Sequence, residues 1–228
     1  MQTCWLRRDG HPACLLFFAG WGMDPAPFQA LLPGNRDLLM VYDYRDLATP
    51  NLADLLPGQY QRLDLLAWSM GVWVASRLLA GVRQRFGATV AVNGTLTPID
   101  DLRGIPAQAY ASLLATFSPV TLDDFYQNMF SDPAELELFL AHRPRRPAEA
   151  IQAELAALRD HYLAHGPAAD IYSHKLAGRR DRVFAVRAQV RAWGRESCQT
   201  FPGPHFPFYA QSWEQLLGTE ASRARGQK

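Results

Sequence analysis

Lysine is almost absent from this sequence of 228 residues, and long hydrophobic runs are missing altogether. Lys175 and Lys228 are the two lysines among 23 basic residues, which balance 22 acidic residues to a formal charge of +1. This charge predicts neither nucleic acid nor an anionic membrane as a partner. A helix that crosses a membrane requires roughly 20 apolar residues, and no apolar run is that long. We therefore expect a soluble protein.

Cysteine is also scarce, with an odd count of three and no C-x-x-C pair. A chain of this length needs no disulfides for stability, so the count favours a reducing compartment. Arg7, Arg8 and Asp9 precede the first apolar run, which is the wrong order for a signal peptide. These features together predict a cytoplasmic protein.

Nucleotide-binding and metal-binding motifs are absent as well. The sequence has neither a Walker loop nor a G-x-G-x-x-G loop. His161 and His165 are spaced four apart but lack the Glu of a zinc-protease motif, which favours a solvated helix face. We therefore expect no metal and no other cofactor.

Short apolar runs bounded by Gly, Pro and Asp recur through the first hundred residues and predict buried strands. They cover residues 13–19, 38–42, 63–68 and 88–92. Between the last two runs, residues 70–86 have apolar side chains at helical spacing, with Gly87 as a predicted C-cap. This alternation of strand, helix and strand predicts a parallel sheet.

A second half of different character follows. From about residue 100 to residue 165, helical patterns with breaks at Pro119, Pro133, Pro144 and Pro147 replace the strand pattern, which predicts an inserted helical lid. Strand-like runs return at 171–177 and 197–201, around a helical pattern at 186–193. We predict one α/β domain over residues 1–228, with a mostly parallel doubly wound sheet and a helical cap. The tail after Gly218 is rich in Arg, Ser and Gly and is predicted to fray.

Ser69 lies where a predicted strand runs directly into a predicted helix, in the segment A-W-S-M-G. This is the position of the nucleophile elbow in the α/β-hydrolase fold, where a sharp turn requires small residues two positions before and after the serine. Ala67 and Gly71 meet that requirement. The alternative is that Ser69 serves only as the N-cap of the helix.

A glycine turn, G-W-G-M-D at 20–24, follows the first of the buried runs. In hydrolases of this fold, the loop after the equivalent strand supplies one N–H of the oxyanion hole, and the residue after the nucleophile supplies another. We therefore predict the backbone N–H groups of Trp21 and Met70 as oxyanion donors. The alternative is an ordinary glycine turn.

His205 lies in the proline-rich segment F-P-G-P-H-F-P-F, just after the last predicted strand, where this fold places its base. Asp181 follows the strand-like run 171–177, so the chain order is serine, acid, histidine, as the fold requires. We predict that Ser69, Asp181 and His205 form a catalytic triad. Asp100 and Asp101 remain rival acids, and a surface-loop histidine is the alternative for the base.

Five segments of the chain together are distinctive: F-F-A-G-W-G-M-D at 17–24, Y-D-Y-R at 42–45, A-W-S-M-G-V-W-V-A at 67–75, N-G-T at 93–95 and G-P-H-F-P at 203–207. With these segments, the chain resembles the BioG-type pimeloyl-[acyl-carrier protein] methyl ester esterases of biotin synthesis. The resemblance covers nearly the whole chain. Ala67, where most hydrolases of this fold have Gly, is typical of this family.

The resemblance implies removal of the methyl group from pimeloyl-carrier-protein methyl ester, which yields the free-acid pimeloyl thioester for biotin assembly. It implies acyl-carrier protein as a partner, and a substrate of this kind requires an apolar slot and a basic rim. Candidates for the slot are Trp21 and the lid residues Phe117, Phe125, Tyr126, Met129 and Phe139. Candidates for the rim are Arg143, Arg145, Arg146 and Arg159.

Two alternative functions remain at this point. A general short-chain carboxylesterase or a thioesterase would use the same triad, because pocket length and carrier binding depend on the lid. A catalytically inactive hydrolase-fold protein would serve as a binding module, although an intact set of Ser69, Asp181 and His205 argues against it.

Overall fold

A computed structural model describes residues 1–47, 58 and 60–218 of the chain. Residues 219–228, for which the sequence predicts a frayed tail, lie outside the described residues. The strands are β1 (Gln2–Arg7), β2 (Ala13–Phe18), β3 (Asp37–Tyr42), β4 (Arg62–Trp68), β5 (Thr89–Val92), β6 (His174–Gly178) and β7 (Cys198–Phe201). The helices are α1 (Met70–Leu79), α2 (Ala107–Ala115), α3 (Pro119–Asn128), α4 (Pro133–Ala141), α5 (Ala148–His165), α6 (Val186–Trp193) and α7 (Trp213–Leu216).

The strands form one sheet in the order β1-β3-β2-β4-β5-β6-β7. All neighbouring pairs are parallel except β1 and β3, which are antiparallel. This mostly parallel, doubly wound arrangement confirms the predicted fold class. Because the parallel strands share one direction, the loops that follow β2, β4, β5, β6 and β7 all leave the same edge of the sheet.

The predicted strands are confirmed, but the edge strand β1 was missed. Its residues are exposed or half-buried, so no apolar run marks it. The run predicted from residue 171 becomes a strand only at His174, because Tyr172 N–H donates to the Asp170 side chain in a preceding turn. Tyr172 instead packs inward and donates its hydroxyl to Val72 O, at 2.6 Å.

The helix predicted over residues 70–86 is shorter than expected. Helix α1 ends at Leu79, and an irregular 3-10 helix follows it over Ala80–Arg85. The prediction of Gly87 as the C-cap is wrong. A Cβ at Gly87 would lie 3.0 Å from Asp64 Oδ1, so the small residue makes room for that buried carboxylate.

Four helices, α2 to α5, lie between β5 and β6 and occupy the region predicted as a lid. The prolines in this region start helices more often than they break them. Pro119 and Pro133 occupy the first helical turns after the caps Ser118 and Asp132, where a missing N–H costs nothing. Among the described residues, no helix is both long and apolar enough to cross a membrane.

An aromatic cluster supports the segment that follows β7. Phe206 and Phe208 pack edge-on against Trp68 at centroid distances of 5.4 Å each, and Phe28 packs against both of these phenylalanines. Large, rigid side chains of this kind bury much apolar area for little loss of conformational entropy. The cluster therefore fixes His205, which immediately precedes Phe206.

The turn from β4 into α1 is sterically tight. Ser69 has φ 59° and ψ −130°, a conformation that non-glycine residues rarely adopt. Two residues later, a Cβ at Gly71 would lie 2.4 Å from Ala19 O and 2.6 Å from Phe18 O. Both contacts are backbone atoms at the end of β2, so no side-chain rotation relieves them.

We therefore expect Gly71→Ala to lower the free energy of unfolding by about 2 kcal/mol, as overpacking does, and to displace Ser69. Urea denaturation followed by circular dichroism measures the change. Gly81→Ala is the matched control, because a Cβ there meets no atom within 4 Å. At Gly81 the substitution is expected to raise stability by about 0.5 kcal/mol. Equal stability of the two variants would contradict the steric argument.

Candidate active site

Ser69, His205 and Asp181 meet at the carboxyl edge of the sheet in one hydrogen-bonded chain. Ser69 Oγ lies 3.0 Å from His205 Nε2, and His205 Nδ1 lies 2.9 Å from Asp181 Oδ2. All three residues are buried, and the side chains of His205 and Asp181 are 0% exposed. The structure thus brings together the three side chains that the sequence predicts as a triad.

Two side chains hold the main chain of His205. Trp68 Nε1 and Asn93 Nδ2 each donate to His205 O, at 2.8 Å. Asn93 Nδ2 also donates to Pro204 O, and its Oδ1 accepts the N–H of Gly178 at 2.7 Å. Asn93 therefore ties the end of β5 to the end of β6 and to the loop that carries the histidine.

Asn93 was not among the predicted site residues, although it lies in the N-G-T segment. Its position directly after β5, at the edge where the site residues emerge, is the signal that would have identified it. Gly94, beside it, has a similar steric role to Gly71. A Cβ at Gly94 would lie 2.3 Å from Ser69 O.

The acid position is occupied by Asp181 and not by its rivals. Asp100 accepts backbone N–H groups from Leu102 and Arg103, and Asp101 caps the start of α2 at Ala107. Both rivals thus stabilise local turns before the lid.

Two bonds from α5 hold the loop that carries the predicted oxyanion donor. Trp21 Nε1 donates to Ile151 O at 2.8 Å, and Gly22 N–H donates to Glu154 Oε2 at 3.1 Å. Met70, the other predicted donor, is the first residue of α1, so its N–H has no intrahelical acceptor. Trp21 and Met70 line the same cavity as Ser69.

Glu154 and Arg146, both in the helical region between β5 and β6, form a buried ion pair at 2.6 Å. Glu154 is 0% exposed and also accepts the N–H of Tyr44, while Arg146 pairs with Asp43 at 3.0 Å. Burial raises the pKa of Glu154, and Arg146 offsets part of that cost. Burial also acts on Asp43, but Arg45 and Arg146 hold the pKa of Asp43 below its usual value.

This ion pair corrects one prediction. Arg146 was expected to face a carrier protein, but its side chain is only 9% exposed and its guanidinium is bound to Asp43 and Glu154. Arg143, Arg145 and Arg159 remain at least partly exposed. Arg143 pairs with Asp123, and Arg159 pairs with its neighbour Asp160.

A cavity of about 400 Å³ opens at Ser69. Its walls are predominantly apolar, with a few polar groups. The lining residues are Trp21, Ser69, Met70, Ile105, Pro106, Ala109, Tyr110, Leu113, Thr121, Asp124, Phe125, Asn128, Leu155, Arg182 and Val183. A volume of this size accommodates a small-molecule ligand.

The cavity agrees only in part with the predicted slot. Trp21 and Phe125 line it, and their rings are in edge contact at 4.7 Å. Tyr126, Met129 and Phe139 are buried in the core and do not line it. The prediction of Met129 is wrong because it faces the core, where its carbonyl accepts the N–H of Phe206.

Sequence reasoning missed the face of α2 that forms most of one wall. Pro106, Ala109, Tyr110 and Leu113 recur at spacings of three and four, which places them on one side of a helix. That periodicity was visible in the sequence, but it does not distinguish a cavity wall from a core face. Phe117, another predicted slot residue, contacts Trp21 edge-on at 6.3 Å without lining the cavity.

Comparison with known proteins gives three informative similarities. A relative from Bacteroides fragilis, called malonyl-[acyl-carrier protein] O-methyltransferase, is 37% identical over 194 residues, which are 84% of this chain. The chain spans only 39% of the length of that relative. A solved hydrolase from Pseudomonas aeruginosa, at 19% identity and TM-score 0.64, covers 96% of this chain and 92% of its own, which supports the hydrolase fold.

The third similarity is to the crystal structure of BioG from Haemophilus influenzae, which has a TM-score of 0.84 and 32% identity. The match covers 95% of this chain and 100% of that one. The family model for pimeloyl-ACP methyl esterase BioG matches residues 1–215. These matches confirm the resemblance noted in the sequence: the chain belongs to the BioG family and has the α/β-hydrolase fold.

Proposed function

We propose that this protein is a cytoplasmic serine esterase that hydrolyses the methyl ester of pimeloyl-[acyl-carrier protein] methyl ester in biotin synthesis. The observation that carries the proposal is the hydrogen-bonded chain of Asp181, His205 and Ser69, which ends at Ser69 in the wall of a largely apolar cavity. Membership of the BioG family supports the choice of ester.

In the first half-reaction, Ser69 Oγ attacks the carbonyl carbon of the methyl ester while His205 Nε2 accepts the hydroxyl proton. Asp181 stabilises the imidazolium that forms. The N–H groups of Trp21 and Met70 would hold the negative charge that develops on the carbonyl oxygen. When the tetrahedral intermediate collapses, the bond from the acyl carbon to the methoxy oxygen breaks, and His205 gives its proton to that oxygen, so that methanol leaves and the acyl group remains on Ser69.

In the second half-reaction, water attacks the acyl-enzyme with His205 again as the base, and Ser69 is released. The product carries a free carboxylate in a cavity whose walls are largely apolar. Burying an ionised carboxylate in apolar surroundings is costly, so hydrolysis weakens the binding of the chain end that it creates. The neutral ester is therefore held better than its product.

The cysteines do not compete with Ser69 as nucleophiles. Burial raises the pKa of the Cys14 thiol to about 12 and that of Cys198 to about 11. A thiol becomes a strong nucleophile only as the thiolate, which these values suppress at neutral pH. Burial likewise raises the pKa of the Cys4 thiol. These properties support serine chemistry.

The name of the Bacteroides relative describes methyl transfer, the opposite outcome to methyl ester hydrolysis. That name applies to a whole protein of which this chain spans 39%. We infer that the shared part is the hydrolytic one, since the match covers 84% of a chain whose residues 1–215 fit the BioG esterase family. The two reactions cleave different bonds, because hydrolysis through an acyl-enzyme breaks the bond between the acyl carbon and oxygen.

The first prediction of this section concerns Ser69. Wild-type protein is expected to convert pimeloyl-carrier methyl ester to the free acid and leave the thioester intact. In water labelled with heavy oxygen, intact-mass spectrometry should find the label in the new carboxylate. Ser69→Ala is expected to lower this rate by about four orders of magnitude.

Ser112→Ala, at an exposed position on α2, is the matched control and is expected to retain the wild-type rate. Loss of the methyl group without label would point to methyl transfer instead. Hydrolysis of nitrophenyl esters alone would favour a general esterase. Failure of a serine-directed phosphonate to label Ser69 would favour an inactive binding module.

We propose that the carrier docks at the open side of the cavity, beside Arg182. Among the described residues, Arg182 is the basic residue in the cavity lining, and it makes no ion pair. Its charge is available for the anionic carrier end of the substrate. Arg145 is a further exposed arginine in the helical region, while Arg143 and Arg159 are paired with Asp123 and Asp160.

The second prediction of this section therefore concerns Arg182. Arg182→Glu is expected to raise KM for the carrier-bound ester about 5-fold, since one exposed ionic contact is worth about 1 kcal/mol. KM for a short nitrophenyl ester should stay unchanged. Arg85→Glu, before β5 at the other end of the sheet, is the matched control. Equal rises in KM for both substrates would contradict a role in carrier binding.

A further inference from the structure

Gln189 is a fully buried polar residue of α6 beside the acid of the triad. It is 0% exposed. Its Nε2 lies 3.0 Å from Asp181 Oδ2 and 2.7 Å from Phe184 O. Its Oε1 has no hydrogen-bond partner among the described residues. A buried amide that satisfies only one end requires a physical explanation.

The neighbours of Gln189 determine which way its amide faces. Asp181 Oδ2 is a carboxylate oxygen and Phe184 O is a carbonyl, so both only accept hydrogen bonds. Only the NH₂ group, with two N–H donors, satisfies both. The opposite orientation would place the amide oxygen against two acceptors. Leaving Oε1 unpaired therefore costs less free energy than the opposite orientation would. In the observed orientation, the NH₂ group donates to both Asp181 Oδ2 and Phe184 O.

Every oxygen of Asp181 is occupied in this arrangement. Oδ1 accepts the backbone N–H groups of Val183 and Phe184, at 2.8 Å each. Oδ2 accepts from His205 and from Gln189. In the described part of the chain, these are the two side chains that hydrogen-bond to the carboxylate. The two backbone donors hold Oδ1 in place, while Gln189 and His205 both hydrogen-bond to Oδ2.

We propose that Gln189 is a positioning residue, which acts on the reaction through Asp181 and never touches substrate. It orients Oδ2 towards His205 and draws part of the carboxylate charge onto its own amide. This inference rests on the proposed serine mechanism. It concerns the triad alone and does not depend on which ester is the natural substrate.

The shared oxygen gives a distinctive pH signature. Without the Gln189 donor, more of the charge of Asp181 faces His205, which stabilises the protonated imidazole. Protonated His205 cannot accept the serine proton, so activity is lost at a higher pH than in the wild type. The acid limb of the kcat/KM profile is therefore expected to move upward. Loss of packing alone would lower activity without moving this limb.

Two substitutions test this assignment. Gln189→Met keeps the length and bulk of the side chain and removes the donor. Gln189→Glu keeps its shape and adds a second negative charge near His205. If Gln189 only fills space, the Met variant, which keeps its bulk, should keep the wild-type acid limb. If Gln189 acts on the carboxylate, the Met variant should move the acid limb upward. The added charge of the Glu variant moves the limb upward in either case, so that variant gives the size of the shift for comparison, and Gln189→Leu repeats the test should the Met variant fail to fold.

For Gln189→Met, we expect kcat/KM for nitrophenyl butyrate to fall about 10-fold and the acid limb to rise by about half a pH unit. The profile is measured by stopped-flow absorbance, with thermal unfolding as the test of folding. Gln152→Glu, at an exposed position on α5, is the matched control and should keep the wild-type profile. The nitrophenyl substrate keeps this result independent of the carrier-bound ester.

A double-mutant cycle with Asp181→Asn gives the second test. Because Gln189 is proposed to act through the carboxylate, Gln189→Met should change kcat/KM less than 2-fold in the Asp181→Asn background. An equal 10-fold loss in both backgrounds, or an unmoved acid limb in the single variant Gln189→Met, would overturn the proposal. Retention of activity by Ser69→Ala would instead overturn the serine mechanism itself.

Discussion

The site depends on the strained turn at Ser69. Its backbone conformation is held because the surrounding main chain leaves no room for another arrangement: Gly71 lies against the end of β2, and Gly94 lies against the carbonyl of Ser69. Protein interiors are too closely packed to absorb such a contact by compression. The carboxyl ends of β2, β4 and β5 are therefore held in close contact, and the loops that follow them keep fixed relative positions.

The lid contributes to this rigidity as well as to the cavity. Helix α5 supplies Leu155 to the cavity wall and Glu154 to the loop that carries Trp21. The same Glu154 accepts from Tyr44 after β3 and pairs with Arg146 before α5. A buried pair of this kind adds little net stability, but removing one partner would leave a buried charge unpaired. The pair thus couples the helices around the cavity to the geometry of the loop that carries Trp21.

The polar groups around the proposed triad form an inner layer that is almost fully hydrogen-bonded. Asn93 holds the main chain of His205, and the acid loop and Gln189 hold Asp181. On the cavity side, Ser69 faces walls that are predominantly apolar. Electrostatic interactions are stronger in buried, apolar surroundings, and preorganised donors need not reorient during a reaction. The contrast between a polar inner layer and an apolar cavity suits hydrolysis of a neutral ester.

Local pattern was sufficient to predict much of this molecule. Buried parallel strands read as continuous apolar runs, and a serine between a strand and a helix, flanked by Ala67 and Gly71, marks an elbow because only small residues fit there. Chain order then identified Asp181 and His205. Edge strand β1 was missed because a half-exposed strand buries too little apolar surface to leave a pattern.

The sequence by itself determined the fold class, the family and the three residues of the proposed triad, since each depends on short-range sterics or on order along the chain. Only the tertiary structure decided which helical faces line the cavity. It also decided that Arg146 forms ion pairs with Asp43 and Glu154, and that Gln189 donates a hydrogen bond to Asp181. An apolar helix face, a basic side chain and a glutamine look the same in sequence whether they meet solvent, core or a reacting group. Their roles depend on partners more than a hundred residues away, or on the opposite side of a turn, and packing alone chooses those partners.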